Sequence, residues 1–393
     1  MSSKYTATKI ACYIGYIVQA IINNFLPILF IALQDVYGLG YEKLARLMVF
    51  NFVTQMIVDI ITPKIVDRIG YKKTVVLCHG AAALGLILLG ILPNIIPPYI
   101  AIIISIIVYA FGSGLIEVIV SPIIEMLPTD DKSGNMSILH SFYCWGQAFT
   151  IIVTTLLVSL FGYKDWAFIP VIWAIIPFLN MFFFMRVPIV EPKAHQKKKG
   201  ITALLKNRRF IVYMIMMLCA GATEIAMAEW ASMFVQKALG VSKVIGDLAG
   251  PCAFAVFMGL GRMWYAAVSK RIDFRKTLIV LSAVCFVCYI VVAFCEVAVI
   301  SLIFCAICGF TVSISWPGIY SAGALEFPDG SSVMYSVFAM CGDTGCCLGP
   351  WVLGIVADSF GLNIGFGASS LFAVGMIIAC SVLGKMGLEK NSK

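Results

Sequence analysis

The chain has 393 residues, of which 61% are apolar and only 12% charged. A soluble domain carries about 25% charged residues, so a chain this apolar cannot clothe a water-facing surface of its own size. That excludes a soluble enzyme, a secreted disulfide scaffold and a nucleic-acid-binding module, and leaves a polytopic membrane protein.

Apolar runs fall near 10–34, 43–66, 74–93, 97–122, 136–160 and 165–186, then near 210–236, 245–269, 277–295, 297–322, 333–357 and 362–384. About 20 apolar residues cross a bilayer, so the pattern predicts twelve spans. Turn signals separate them, among them Gly38-Leu39-Gly40, Pro97-Pro98, Pro128-Thr129-Asp130 and Pro328-Asp329-Gly330. The first run is too long for a cleavable signal peptide and has no small-residue cleavage site after it.

With both termini cytoplasmic, twenty-two of the 28 Lys and Arg residues fall on the inner side. Lys43, Arg46, Lys164, Lys237 and Lys243 fall outside, and Arg262 lies near the inner end of the eighth span. The positive-inside rule fixes this orientation and makes the net charge of +8 a topology signal rather than a sign of nucleic acid. The longest polar stretch, Val187 to Arg209 with Lys197-Lys198-Lys199, falls at the midpoint. The expected organisation is therefore a six-helix bundle over residues 1–187, a cytoplasmic linker over 188–209 and a second six-helix bundle over 210–393.

Several patterns are decoys. Fourteen cysteines sit almost entirely within apolar spans, where Cys behaves as a small hydrophobe. Cys285-x-x-Cys288 and Cys305-x-x-Cys308 match a zinc-ribbon spacing but are expected to face hydrocarbon. The sequon at Asn135 falls in a predicted inner loop, and His79 and His140 lack a partner at metal-ligand spacing. No intramembrane hydrolase motif is present, so no enzyme activity and no catalytic residue are expected.

The halves echo each other about 200 residues apart. Glu117-Val-Ile-Val-Ser-Pro122, Glu125-Met-Leu-Pro128 and Met136 resemble Ser313-Ile-Ser-Trp-Pro317, Glu326-Phe-Pro328 and Met334. Lys/Arg clusters follow both the second and the eighth span. Repeated six-span halves describe a two-bundle carrier that binds substrate near mid-membrane and alternates access.

Between the second and third spans, Pro63-Lys-Ile-Val-Asp67-Arg68-Ile-Gly70-Tyr-Lys72-Lys73 resembles the major facilitator superfamily signature Gly-x-Leu-x-Asp-Arg-x-Gly-Arg-Arg. Asp67, Arg68, Gly70 and Lys72 match in type, and Pro63 replaces the leading glycine. The resemblance implies an all-α fold of twelve transmembrane helices in two pseudo-symmetric six-helix bundles. It also implies that Asp67, Arg68 and Lys72 form a gating charge latch. A basic turn that simply obeys the positive-inside rule is the alternative.

Charged residues inside spans cost about 2.5–3.5 kcal/mol each on insertion scales. The candidates are Asp59, Glu117, Glu224, Glu229 and Asp343, whereas buried basic residues are nearly absent and Arg262 is expected to lie too near a span end to meet substrate. A strongly anionic substrate would call for the opposite sign. The setting of the acids is similar to the fucose-permease-like sugar/proton symporters. Asn23-Asn24-Phe-Leu-Pro27, Gly114-Leu-Ile-Glu117-Val-Ile-Val-Ser121-Pro122, Gly221-Ala-Thr-Glu224 with Trp230, and Ser313-Ile-Ser-Trp-Pro317-Gly-Ile-Tyr-Ser321 carry the likeness in order. Asn23 stands where that branch has an acid, and Ser121 replaces its asparagine.

The resemblance therefore implies Glu117 as the proton-coupling site. Glu224, in a matched segment, and Asp343, a mid-span acid outside the matched motifs, are further candidates. Asn23, Asn24, Gln147, Trp316, Trp230 and Tyr143 are the candidate substrate-binding residues, pairing neutral hydrogen-bonding groups with flat apolar faces. The expected protein is a proton-coupled carrier of a small neutral polar solute, a sugar, in the plasma or inner membrane. H⁺ or Na⁺ is the coupling ion, no other cofactor or metal is expected, and the partners are the solute and the lipid bilayer around a monomer. The rival is a proton-exchanging exporter of cationic or amphiphilic compounds. A third reading is a transporter fold that senses or scrambles lipids.

Overall fold

The computed structural model describes residues 5–39, 41–162, 164–190, 200–239, 248–295, 297–328 and 331–391. The Lys197-Lys198-Lys199 run, the expected start of the eighth span and Asp329-Gly330 lie outside them.

Without water to serve the backbone, a span must satisfy its own N–H and C=O groups, and nearly all the described residues are helical. The first span is α1 (Thr6–Ile28) followed by α2 (Phe30–Tyr37). It breaks beside Pro27, which has no N–H to give. α3 (Tyr41–Ile91) holds the second and third spans in one run of helix. Its single non-helical residue is Gly70, at φ 79° and ψ 166°, a conformation a side chain resists. This is the glycine of the loop signature, and it turns one span into the next.

α4 (Pro98–Met126), α5 (Lys132–Phe161) and α6 (Phe168–Arg186) follow, then the short α7 (Ile201–Leu205) in the linker and α8 (Arg208–Leu239). A π turn (Leu248–Cys252) leads into α9 (Ala253–Val268) and α10 (Phe274–Phe294). The tenth span is split into α11 (Ala298–Val312) and α12 (Ser315–Glu326). α13 (Ser331–Phe360) and α14 (Leu362–Asn391) end the fold. Among the described residues, 11 helices are long and apolar enough to cross a membrane, and one of them runs 49 residues from Arg46 to Asn94. At about 1.5 Å per residue that helix is long enough to cross twice.

The chain forms two compact units, one of residues 1–129 and 145–195 and the other of residues 130–144 and 196–393. The first 15-residue stretch, Asp130–Cys144, thus belongs to the second unit although the rest of α5 belongs to the first. Within the first unit α3 packs on α4 and α6, and α1 on α4 and α6. Within the second, α10 packs on α11 and α14, α9 on α11, and α8 on α14 and on the split tenth span. The pairing repeats six spans on, as the internal sequence echo implies.

Small residues permit the closest contacts. A methyl group at Gly112 would meet the Ala82 backbone, and one at Gly85 the Tyr109 backbone, so α3 and α4 touch main chain to main chain. In the second unit Gly345 and Gly349 of α13 lie against Leu218 and Ala222 of α8, which makes the eleventh-span glycines packing residues.

The cysteines correct one expectation. Cys285, Cys288, Cys305 and Cys308 do not face hydrocarbon but lie together in the core of the second unit, with the Cys285 and Cys308 sulfurs 3.8 Å apart. Composition could not tell the two faces of these helices apart, because both are apolar. Among the described residues no three His, Cys, Asp or Glu side chains are grouped to hold a metal.

Candidate functional site

The first unit carries a buried polar line. Tyr16, Gln19 and Asn23 follow one another at helical spacing on α1, Asn51, Gln55 and Asp59 on α3, and Glu117 and Ser121 on α4. The Tyr16 and Ser121 hydroxyls share a hydrogen bond of 2.7 Å. Gln19 Nε2 donates to Glu117 Oε2 at 2.6 Å, and Glu117 is only 6% exposed. Asn23 Oδ1 accepts from Gln55 Nε2 at 3.0 Å and from Asn51 Nδ2 at 3.4 Å. Asp59, one turn beyond Gln55, is fully buried.

The geometry uses up some of the predicted binding groups. The carbonyl oxygen of Asn23 serves α3, and Asn24 Nδ2 donates to the Ala20 carbonyl of its own helix at 2.8 Å. Gln147 is buried on α5 beside Gly146, where the helix comes within reach of Ile17 and Ala20. Asn23, Asn24, Gln147 and Glu117 thus all belong to the first unit, and all four lie on or against α1.

In the second unit Arg262, six residues before the end of α9, is 2% exposed and so faces the packed interior. Its Nη2 lies 3.4 Å from Glu224 Oε2, Nη1 donates to the His140 carbonyl at 2.7 Å and Nε to the Ser313 carbonyl at 3.1 Å. Glu224, read from sequence as a proton site, is the counter-ion of a buried guanidinium. Buried ion pairs of this kind cost about as much to desolvate as they return, but losing one partner is severe.

Trp316 is 9% exposed, with its ring against Gly342 and 6.3 Å from the ring of Tyr320, and its Nε1 has no hydrogen-bond partner among the described residues. Asp343, the residue after Gly342, is 5% exposed, and its Oδ2 is likewise unmatched. Tyr143 is half-buried on the part of α5 that joins this unit. The Trp230 side chain lies outside the described residues.

In the signature turn Asp67 and Arg68 are exposed, while Lys72 Nζ donates to the Val187 carbonyl just past α6. The lysine thereby fastens the turn after Gly70 to the end of the sixth span.

Sequence reading passed over Tyr16, Gln19, Asn51 and Gln55. Their signal was present: polar residues at intervals of three and four along two apolar spans define one face each. It was overlooked because each residue is uncharged and unremarkable on its own. The burial of Arg262 had no comparable signal, since an apolar span does not show which of its faces packs inward.

Two bundles' worth of packed apolar helices, each with buried polar groups at mid-helix, define a membrane carrier. The chain belongs to the Major Facilitator Superfamily, whose profile matches residues 12–350. Its members are transporters rather than enzymes, and this chain is such a transporter. Among solved structures it is similar to the transporter FucP in the outward conformation, with a TM-score of 0.80 and 17% identity over 97% of this chain and 99% of that one. It is similar also to the proton:xylose symporter XylE bound to 6-bromo-6-deoxy-D-glucose, with a TM-score of 0.83 and 12% identity over 98% and 96%. The human organic anion transporter MFSD10 aligns with a TM-score of 0.78 and 13% identity over 97% and 100%. At these identities the likeness is one of fold. Among curated proteins, the membrane protein MosC of Rhizobium meliloti is 26% identical over 179 residues, which span 45% of this chain and 43% of MosC.

Proposed function

We propose that the protein is a secondary active transporter that moves a small neutral polar solute, a sugar, by alternating access coupled to protons at Glu117. The observation that carries this reading is the Gln19–Glu117 hydrogen bond within a line of neutral amides and hydroxyls. A carboxylate deep in a low-dielectric bundle is poised to take up and release a proton. The amides beside it match the hydroxyl groups of a sugar. The one buried guanidinium described here, Arg262, has its charge matched by Glu224, so it does not call for an anionic substrate. The likeness to two sugar-related transporters, FucP and XylE, supports the same class.

In this reading both termini are on the cytoplasmic side of the plasma or inner membrane, which the Lys and Arg distribution supports, with Asp67, Arg68 and Lys72 as the gating group there. Protons are the coupling ion in this reading and Na⁺ the substitute to be tested, and the carrier works as a monomer of two six-helix bundles.

The test is counterflow in liposomes containing the purified protein, run against a panel of sugars with and without a pH or Na⁺ gradient. Counterflow of at least one sugar, with accumulation only under a proton gradient, is expected. No sugar counterflow, together with gradient-driven movement of an organic cation, would overturn the reading in favour of an exporter.

A further inference from the structure

Arg262 spends two of its hydrogen bonds on main-chain carbonyls, and one of them has a reason to need a donor. The Ser313 carbonyl lies four residues before Pro317, whose ring nitrogen carries no hydrogen. The tenth span therefore stops at Val312 and resumes at Ser315, and Arg262 Nε supplies the donor the proline lacks. Gly261 makes the approach possible, because a side chain there would strike that of Ser313. The second acceptor, the His140 carbonyl, is on the stretch of α5 that belongs to the second unit. That stretch also reaches back: the Ser137 hydroxyl donates to the Arg262 carbonyl at 2.6 Å.

We infer that Arg262 is a positioning residue that clamps the first half of α5 and the break in the tenth span to α9, and that the charge on Glu224 sets whether the clamp holds. With Glu224 ionised, the guanidinium is neutralised in place and free to serve both carbonyls. With Glu224 neutral, an uncompensated cation is left in the core, and it regains solvation only by leaving those carbonyls for water. The first half of α5 and the α11–α12 break then loosen together. The inference rests on the chain being a transporter, since only a moving protein has use for such a clamp, but not on which solute it moves.

Other titratable groups surround the pair and must be kept apart from Glu224 in a test. α5 brings His140 and Cys144, α10 brings Tyr289, whose hydroxyl donates to the Thr223 carbonyl, and α12 brings Tyr320. α13 brings Cys346 against Gly221 and, beside Gly342, Asp343, while α14 brings Cys380 near Cys219. Substitution at Glu224 therefore isolates the effect better than a change of pH.

The experiment is hydrogen–deuterium exchange by mass spectrometry on the full-length protein in lipid nanodiscs, without substrate. Glu224→Gln keeps the shape but removes the charge, and Arg262→Lys keeps the charge but cannot fork to two carbonyls. In each, exchange of residues 133–144 and 313–320 is expected to rise at least tenfold, while α3 and α4 stay as in the wild type. Adding Pro317→Ala to Arg262→Lys restores the missing donor, so exchange at 313–320 is expected to fall back while 133–144 stays fast. Wild-type exchange at 133–144 in Glu224→Gln would overturn the inference, and so would a uniform rise that includes α3 and α4. Because no substrate is present, either result is independent of the sugar assignment.

Discussion

Gln19 donates its side-chain amide to Glu117 at 2.6 Å, joining the first and fourth spans through residues 98 apart in the chain. The bond holds the buried carboxylate against a neutral amide of the first span. Glu224, in the second unit, stands 3.4 Å from a guanidinium.

Glu117→Gln removes the exchangeable proton but leaves a side chain that can still pair with Gln19. Counterflow is expected to persist, and proton-driven accumulation is expected to be lost. Accumulation at the wild-type level would move the proton site to Asp343 or Glu224.

Gln19→Leu removes the donor and leaves the carboxylate buried beside an apolar group. A hydrogen bond to a charged group contributes about 1.5–3 kcal/mol, which corresponds to a roughly tenfold to hundredfold loss in any step that needs ionised Glu117. The initial rate of proton-driven uptake is expected to fall accordingly, and Gln19→Asn, too short to span the gap, is expected to behave like the leucine variant.

Gly345→Ala and Gly349→Ala each push a methyl into the backbone of α8. Overpacking of this kind costs about 1–3 kcal/mol, so both variants are expected to lower the melting temperature in detergent. Gly367→Ala is the control. Its added methyl would lie 3.6 Å from the Phe294 ring, an ordinary contact, and thermal stability is expected to stay at or above the wild type.

Gly70→Ala forces a side chain into the one non-helical residue of α3, at a cost of about 1–3 kcal/mol. Lys72→Gln loses the bond to the Val187 carbonyl, which Lys72→Arg can keep. Transport and thermal stability are expected to fall in the alanine and glutamine variants and to hold in the arginine variant. Full activity in Lys72→Gln would remove that lysine from the gating group.

The span count was legible in the sequence because lipid demands long apolar helices, and Gly70 was legible because its loop signature fixes a conformation. What stayed hidden was rotation. In a helix apolar on all sides, nothing marks the buried face, so Cys285 and Cys308 read as lipid-facing although they lie in a core. The facing of Arg262 was hidden for the same reason: it is near a cluster of basic residues in the chain, and only its bonds to the Ser313 and His140 carbonyls show that it turns toward the core. Glu117 was legible because a mid-span acid is costly, whereas its partner Gln19 is a common, uncharged residue whose meaning comes from α4.

The burial of the thiols has a practical consequence. Of the 14 cysteines, Cys295 and Cys347 are half-buried and the others are buried. A bulky, membrane-impermeant maleimide therefore meets little native background in the folded protein. Single cysteines placed in the loops can be labelled from either side of a vesicle without first stripping the core of its sulfur. The sidedness of each loop thus becomes directly measurable in otherwise wild-type protein.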